Sequence, residues 1–274
     1  NLNLNLLIKL TQKNETVLYT VFHPLSISYL KDFIKNLEKQ NFNQFDIFIC
    51  FNNLNKNIHI KKIRYLKKIS SLNIYFNFKD SNPILVRKND LKFLSLKYNK
   101  IIFLDSDDKM DFNRMKLVNK ELDNYDFVVN NIKNFKTNKI FFSRSNINPI
   151  KITSIINNSF IGLSNLAVNS KALKKIINKI NKKLLVLDWQ LATLLLLYKF
   201  KGIYVGNIFT KYRIHQKNFI GQKNNFKNLY KKNTIKLLHY AYFSKYNNIF
   251  KKRYKEFQLK KNKINLNKNE FYNT

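Results

Sequence analysis

Short apolar runs alternate, over the first hundred positions, with segments whose apolar residues recur every three or four. Residues 17–22 (Val-Leu-Tyr-Thr-Val-Phe), 46–51 (Asp-Ile-Phe-Ile-Cys-Phe) and 73–78 are rich in β-branched and aromatic side chains and predict strands. Between the first two, residues 27–40 set Leu30, Phe33, Ile34 and Leu37 at helical spacing behind a Ser26 or Ser28 cap. A basic amphipathic segment, 58–69, precedes the third strand, and Pro83 breaks the chain ahead of a helix expected over 88–98. Strand–helix units of this length suit right-handed crossovers and predict an α/β domain with a mostly parallel central sheet flanked by helices.

The second half is less regular. It predicts a helix over 111–122, with Asp111 as a candidate cap, a strand over 125–131 and an edge strand at 139–142. Pro149 interrupts a polar stretch. A short strand is expected at 161–168, then a helix over 170–181 that turns Ala172, Leu173, Ile176, Ile177 and Ile180 inward. A long apolar helix spans 187–199, with Gly202 as its terminator and 203–205 as the last strand. Beyond 222 the chain turns to Lys, Asn, Tyr and Phe and reads as a basic, mainly helical tail over 223–274, so that 1–222 forms the folded domain.

The most telling stretch is residues 100–108, where Ile101 to Leu104 run straight into Asp105, Ser106, Asp107 and Asp108. An apolar run of this kind suits a strand buried on both faces, and ligands of open α/β sheets bind beyond the carboxyl ends of the strands. Three carboxylates gathered there repel one another unless a cation or polar partner intervenes, and oxygen-loving Mg2+ or Mn2+ bridging to phosphates is the expected partner. The alternative is an acidic turn that caps the next helix. Composition sharpens the contrast: 51 Lys and Arg stand against 16 Asp and Glu, a formal net charge of +35. Such a balance suits a polyanionic substrate, an anionic membrane surface or nucleic acid, although scarce Gly, Pro and Ala beside abundant Lys, Asn and Ile also fits AT-rich coding.

Absences narrow the chemistry. With 4 glycines the chain holds neither a dinucleotide fingerprint nor a P-loop, and it lacks H-E-x-x-H, paired-cysteine zinc motifs and G-x-S-x-G. Two further segments stand out. Asp188-Trp189 opens the long apolar helix, where the carboxylate serves either as an N-cap or as a general base raised by a partly dry site. Arg213 and His215, in Tyr-Arg-Ile-His-Gln-Lys-Asn-Phe-Ile-Gly, share one side of an extended segment and suit a diphosphate or its metal, unless they are one more basic loop.

Together these features resemble the inverting family 2 glycosyltransferases of bacterial polysaccharide and glycolipid synthesis, which have the nucleotide-sugar-binding GT-A fold. The resemblance covers roughly residues 15–222: "IIFLDSDD" is like the family's strand with its DxD motif, "LDWQL" lies where the family places its base, and "YRIHQKNFIG" is like a Tyr-Arg-x-His-x-x-Asn-x-x-Gly segment. It implies a metal-dependent transfer of a sugar from a nucleotide-diphosphate donor to a glycan or lipid-linked acceptor. In that reading Asp107 and Asp105 hold Mn2+ or Mg2+, with His215 a further ligand, and Asp108 orients the pair or touches the donor sugar. Asp188 is the base, Arg213 and His215 close over the diphosphate, Trp189 walls the acceptor pocket, and Arg87, ahead of its helix, contacts the nucleotide.

One departure concerns the donor. Where relatives end the second strand in Asp-Asp-Gly-Ser, this chain has Phe51-Asn52-Asn53-Leu54, and Asn52 is expected to take over contact with the base edge. That change also suggests a catalytically silent member of the fold. A rival of another class is a basic nucleic-acid-binding module, drawn from the aromatic–basic mixture of 223–263. The same segment suits attachment to anionic lipid. Cys50 sits alone in an apolar run and no signal-peptide plan is visible, so the expected location is the cytoplasm, peripheral to the inner membrane face.

Overall fold

The computed structural model describes residues 14–69, 72–141, 148–157, 159–214 and 226–271. Its first half repeats one unit: β1 (Thr16–Phe22), α1 (Leu30–Glu38), β2 (Asp46–Asn52), α2 (Lys56–Ile69), β3 (Asn73–Lys79), α3 (Pro83–Lys97) and β4 (Lys100–Phe103). The second half runs β5 (Lys109–Met110), α4 (Arg114–Glu121), β6 (Phe127–Asn134), α5 (Ile152–Ile155), β7 (Leu166–Asn169), α6 (Ser170–Ile176), α7 (Leu187–Leu197), β8 (Gly202–Tyr212), α8 (Phe226–Phe243) and α9 (Asn248–Phe271). Among the described residues the strands form one sheet in the order β3-β2-β1-β4-β7-β6-β8-β5. Pairing is parallel for β3–β2, β2–β1, β1–β4 and β6–β8, and antiparallel where β7 joins β4 and β6 and where β5 joins β8.

The continuous apolar runs follow from helices covering both faces of this sheet. Successive side chains of a strand point to opposite faces. Accordingly Val17, Tyr19, Phe48, Cys50, Ile101 and Phe103 pack toward α3, α6 and α7, and Leu18, Ile47, Ile49, Phe51, Ile102 and Leu104 toward α1, α2 and α4. The inward face of α1 is the expected Leu30, Phe33, Ile34 and Leu37, and all five inward residues expected over 170–181 are buried.

Several boundaries differ from expectation. Pro83 opens α3 instead of preceding it, with the Asn82 side chain accepting from the Ile84 and Leu85 amides at 2.9 and 3.4 Å. Proline suits a first helical position because its missing N–H would be unpaired there anyway. Arg87 therefore lies inside α3, not ahead of it. α4 starts at Arg114, and Asp111 is no cap: its carboxylate pairs with Lys133 at 3.0 Å. Residues 139–141 contribute only a single bridge, Lys133 to Ile140, and 142 lies outside the described residues. Lys199, with φ 59°, ends α7 in the left-handed conformation, and the Phe200 amide reaches back to the Leu195 carbonyl at 3.0 Å. Gly202 instead begins β8, where the Phe127 ring occupies the space of a side chain: a Cβ would lie 2.0 Å from Phe127 Cζ.

Within the tail, Phe226–Phe243 and Asn248–Phe271 are helical. Ile235, Tyr240, Phe243 and Phe250 join the cluster built by α3, α6 and α7. Among the described residues no helix is long and apolar enough to cross a membrane.

Candidate functional site

β4 ends at Phe103, and the acidic loop turns at once, the Asp108 amide donating to the Asp105 carbonyl at 3.1 Å. Ser164, buried in a short 3-10 turn ahead of β7, organises the loop. Its Oγ accepts the Asp105 amide at 3.1 Å and stands 3.0 Å from Asp105 Oδ2 and 2.5 Å from Asp108 Oδ2. From the end of β8, the Arg213 amide donates to Asp108 Oδ1 at 2.7 Å and its Nε to the Asp107 carbonyl at 2.8 Å. The Arg213 guanidinium lies over the rings of Phe135 (4.1 Å) and Tyr29 (4.6 Å). Thus the loop is held by a side chain on one side and by a braced arginine on the other.

Burial raises the Asp105 carboxyl above its ordinary range; Arg87 opposes that rise and Asp107 adds to it. Burial, then repulsion from Asp107 and Asp105, pushes Asp108 well above its ordinary range, against the bonds from Ser164 and Arg213. Underneath, Arg114 is fully buried, its Nε on Asn130 Oδ1 at 2.8 Å and its Nη2 on the Phe103 carbonyl at 3.0 Å. Its Nη1 has no hydrogen-bond partner. Burial lowers Arg114 to about 9 while the charge of Asp108 holds it up, so it stays cationic at neutral pH. A buried charge needs a counter-charge, and this one answers the acidic loop.

Asp188 sits in the first turn of α7. It is not the N-cap, a position taken by Val186; its Oδ1 accepts its neighbour's amide, Trp189 N, at 2.7 Å. A carboxylate at this end is also favoured by the helix dipole. Burial nevertheless raises it to about 6; the Trp189 amide opposes the rise, Asp105 adds to it and Arg87 opposes it. Asp188, Asp105 and Arg87 are therefore mutually within electrostatic reach. Gly162 borders the carboxylate, since a Cβ there would stand 3.7 Å from Asp188 Oδ2.

Arg87 shares a narrow cleft with Asp105, Leu163 and Thr20, whose buried hydroxyl has no hydrogen-bond partner. One turn along α3, buried Asp90 is held by Lys79 (2.5 Å) and by Tyr19 OH (2.9 Å). A larger cavity between α1, β5, α4 and β8, lined by Lys39, Phe112 and Lys211, includes none of Asp105, Asp107, Asp108 or Asp188.

Two expected site residues point elsewhere. Trp189 does not wall a pocket: it is buried, its Nε1 donates to the Ile155 carbonyl at 3.1 Å, and its face stacks on His239 at 3.7 Å. Asn52 does not present an amide to a base. It is buried and holds the Ser81 backbone, donating to the carbonyl at 3.2 Å and accepting the amide at 3.4 Å. Asn53 turns the chain with φ 54°, a conformation asparagine tolerates, which gives the Asn-Asn pair a backbone role. His215 lies outside the described residues. Ser164, Arg114 and Gly162 had no sequence signal, because each acquires its role from a partner distant in the chain.

Among the described residues no three His, Cys, Asp or Glu side chains form a group arranged to hold a metal ion. The donors that do gather are carboxylate oxygens, at least two of them raised by burial and mutual repulsion, the condition a hard cation relieves. Such a partial shell fits Mg2+ or Mn2+, which retain water and take phosphate oxygens from a substrate.

No protein-family model matches the chain, and no curated protein matches it. Solved structures do. The chain is similar to residues 1–349 of S. aureus TarS in complex with UDP-GlcNAc, with TM-score 0.59 and 14% identity over 82% of this chain and 66% of that one. It is similar also to the mannosyltransferase PcManGT from Pyrobaculum calidifontis in complex with GDP-Man and Mn2+, with TM-score 0.58 and 8% identity over 84% of this chain and 64% of that one. Against a longer TarS structure the TM-score is 0.54, and this chain spans 39% of its length. The chain thus spans less than two thirds of these neighbours. At such identities the likeness shows the fold, the GT-A architecture of nucleotide-sugar transferases.

Proposed function

We propose that the chain is an inverting glycosyltransferase that moves a sugar from a nucleotide-diphosphate donor to a hydroxyl of a glycan or lipid-linked acceptor. The observation that carries this reading is the placement of Asp188, raised to about 6, within electrostatic reach of the acidic loop beyond β4. A carboxylate with that affinity for protons is mostly ionised at neutral pH yet basic enough to accept one from an attacking hydroxyl. Asp188 takes the acceptor proton, and the oxygen attacks the anomeric carbon opposite the departing diphosphate, through oxocarbenium-like character. Arg87, half-buried beside Asp105, supplies positive charge to the donor phosphates. Arg213 keeps the loop in shape through its amide and Nε. Mn2+ or Mg2+ held by Asp107 and Asp105, with His215 as a further donor, would neutralise charge on the leaving diphosphate.

TarS is described with UDP-GlcNAc and PcManGT with GDP-Man and Mn2+, so both donors belong in the first screen. Manganese-dependent release of UDP or GDP, with and without candidate glycan acceptors, tests the reading. Asp188→Ala should keep donor binding and lose turnover. Unchanged turnover in both Asp107→Ala and Asp188→Ala would remove the assignment.

The turn between α8 and α9 favours a membrane-proximal acceptor. Tyr246 and Ile249 are 59% and 39% exposed there, flanked by exposed Lys245, Lys251 and Lys252. Amphipathic and basic side chains together suit an anionic lipid surface, at roughly 1 kcal/mol per basic residue near it. Co-sedimentation with phosphatidylserine vesicles, compared between the wild type and a Lys245, Lys251, Lys252 triple alanine variant, reads this directly; equal binding would dismiss it.

A further inference from the structure

α7 carries Asp188 in a first turn closed by the Gln190 amide on the Val186 carbonyl at 3.2 Å. The Gln190 side chain ties that turn to Asn181 and Leu184, and α8 adds a contact from outside. Trp189 is 5% exposed and His239 of α8 is 2% exposed, and their rings stack at 3.7 Å with an interplanar angle of 6°. The far edge of the imidazole is tied as well: His239 Nε2 and Thr193 Oγ1, one turn further along α7, are hydrogen-bonded at 3.0 Å. Phe243 and Phe250 complete the packing around the imidazole.

The same junction grips the end of α5. Trp189 Nε1 donates to the Ile155 carbonyl at 3.1 Å, and Tyr240 OH, next to His239, donates to the Ile156 carbonyl at 2.7 Å. Gly162, further along the chain, lies beside Asp188 Oδ2. On the other side of the carboxylate, Trp189 gives its own amide to Asp188 Oδ1 at 2.7 Å. The Trp189 amide and Gly162 thus flank one carboxylate, and α8 supplies two anchors, one on Trp189 and one on the end of α5.

We propose that His239 is a positioning residue for transfer: stacked on Trp189 and bonded to Thr193, it fixes the first turn of α7 and with it the direction of the Asp188 carboxylate. On this view the basic C-terminal helices are part of the catalytic body. The inference rests on Asp188 as the base, but the clamp has a readout of its own. A side chain that must meet an acceptor hydroxyl loses rate steeply when its direction is lost, because attack geometry is narrow.

The test compares full-length wild type with His239→Ala, which removes the ring, and His239→Phe, which keeps an aromatic face on Trp189. Hydrogen exchange of the peptide spanning 186–191 reads the clamp, with peptides from β1 and β4 as internal controls. Emission of Trp189, the single tryptophan, gives a second readout. Exchange at 186–191 should quicken in His239→Ala with β1 and β4 unchanged, and stay close to wild type in His239→Phe. Nucleotide release from UDP-GlcNAc or GDP-mannose with Mn2+ should show kcat lowered about tenfold or more in His239→Ala at an unchanged donor KM, and largely restored in His239→Phe. Unchanged exchange and emission in His239→Ala overturn the clamp whatever the activity. Faster exchange with unchanged kcat, or equal losses in both variants with a parallel rise in KM, overturns positioning. A wild type that binds neither donor rules out UDP-GlcNAc and GDP-mannose as its donors, and the exchange result then decides the clamp alone.

Discussion

Ser164 Oγ stands 2.5 Å from Asp108 Oδ2, with the Asp105 carboxylate 3.0 Å from the same oxygen. One hydroxyl from the turn before β7 therefore joins two carboxylates beyond β4. Ser164→Ala leaves both without this partner and the Asp105 amide without its acceptor. The expected loss is about 1–3 kcal/mol in stability, the cost of unsatisfied buried polar groups, together with weaker Mn2+-dependent turnover. Urea denaturation and a Mn2+ titration of nucleotide release measure the two separately.

As the proposed base, Asp188 should set the acid limb of activity. In that role the ionised carboxylate is the working form, and burial raises its affinity for protons to about 6. Below that pH, kcat/KM should fall about tenfold per unit, and above it the limb is flat. The stability consequence has the opposite sense. Folding raises this group above its ordinary 3.8, so the fold binds its proton more tightly and carries a penalty that is fully present above about 6. Asp188→Asn should then abolish turnover yet stabilise the protein at pH 7, by on the order of 1–2 kcal/mol after solvent screening. The gain should vanish near pH 4. Paired rate and denaturation profiles from pH 4 to 8 check both signs.

His239 behaves in the reverse way. Burial lowers it from 6.5 to about 3, so the docked ring is neutral. The unfolded chain takes up a proton near 6.5 that the fold refuses, and stability is lost as pH falls through the interval from 6.5 toward 3. In His239→Phe that contribution is gone. The thermal midpoint of the wild type should drop more between pH 7.5 and 5 than that of the variant, as differential scanning fluorimetry would record.

Gly202 is a steric position. A Cβ would lie 2.0 Å from Phe127 Cζ and 2.3 Å from Cε2, a clash with the fully buried ring of its β6 partner in the β6–β8 pairing. Gly202→Ala should cost about 1–3 kcal/mol, the usual range for overpacking. Gly202→Ala combined with Phe127→Leu should recover part of it, which a denaturant series on the three variants would show.

Whatever neighbours along the chain govern was legible in the amino-acid order. The apolar runs at 17–22, 46–51 and 101–104 had to be strands covered on both faces, the spacing of Leu30, Phe33, Ile34 and Leu37 had to be a helix face, and the run of acids after Leu104 had to end a buried strand. Asp105, Asp107, Asp108 and Asp188 were legible as candidates because acid is scarce in a chain with 51 Lys and Arg against 16 Asp and Glu, and Arg87 only through the family resemblance. How those candidates are held follows from contacts between distant parts of the chain. Only folding brings Ser164 and Arg213 to the acidic loop, Arg114 beneath it and His239 onto Trp189, pairs whose members lie up to 105 or 106 residues apart. Only folding, too, turned Trp189 and Asn52 from expected ligand contacts into a core stack and a backbone tie. Local pattern records whether a side chain is apolar, charged or turn-forming. Its partners, and with them its direction and proton affinity, are set by burial and by groups that arrive from elsewhere in the chain.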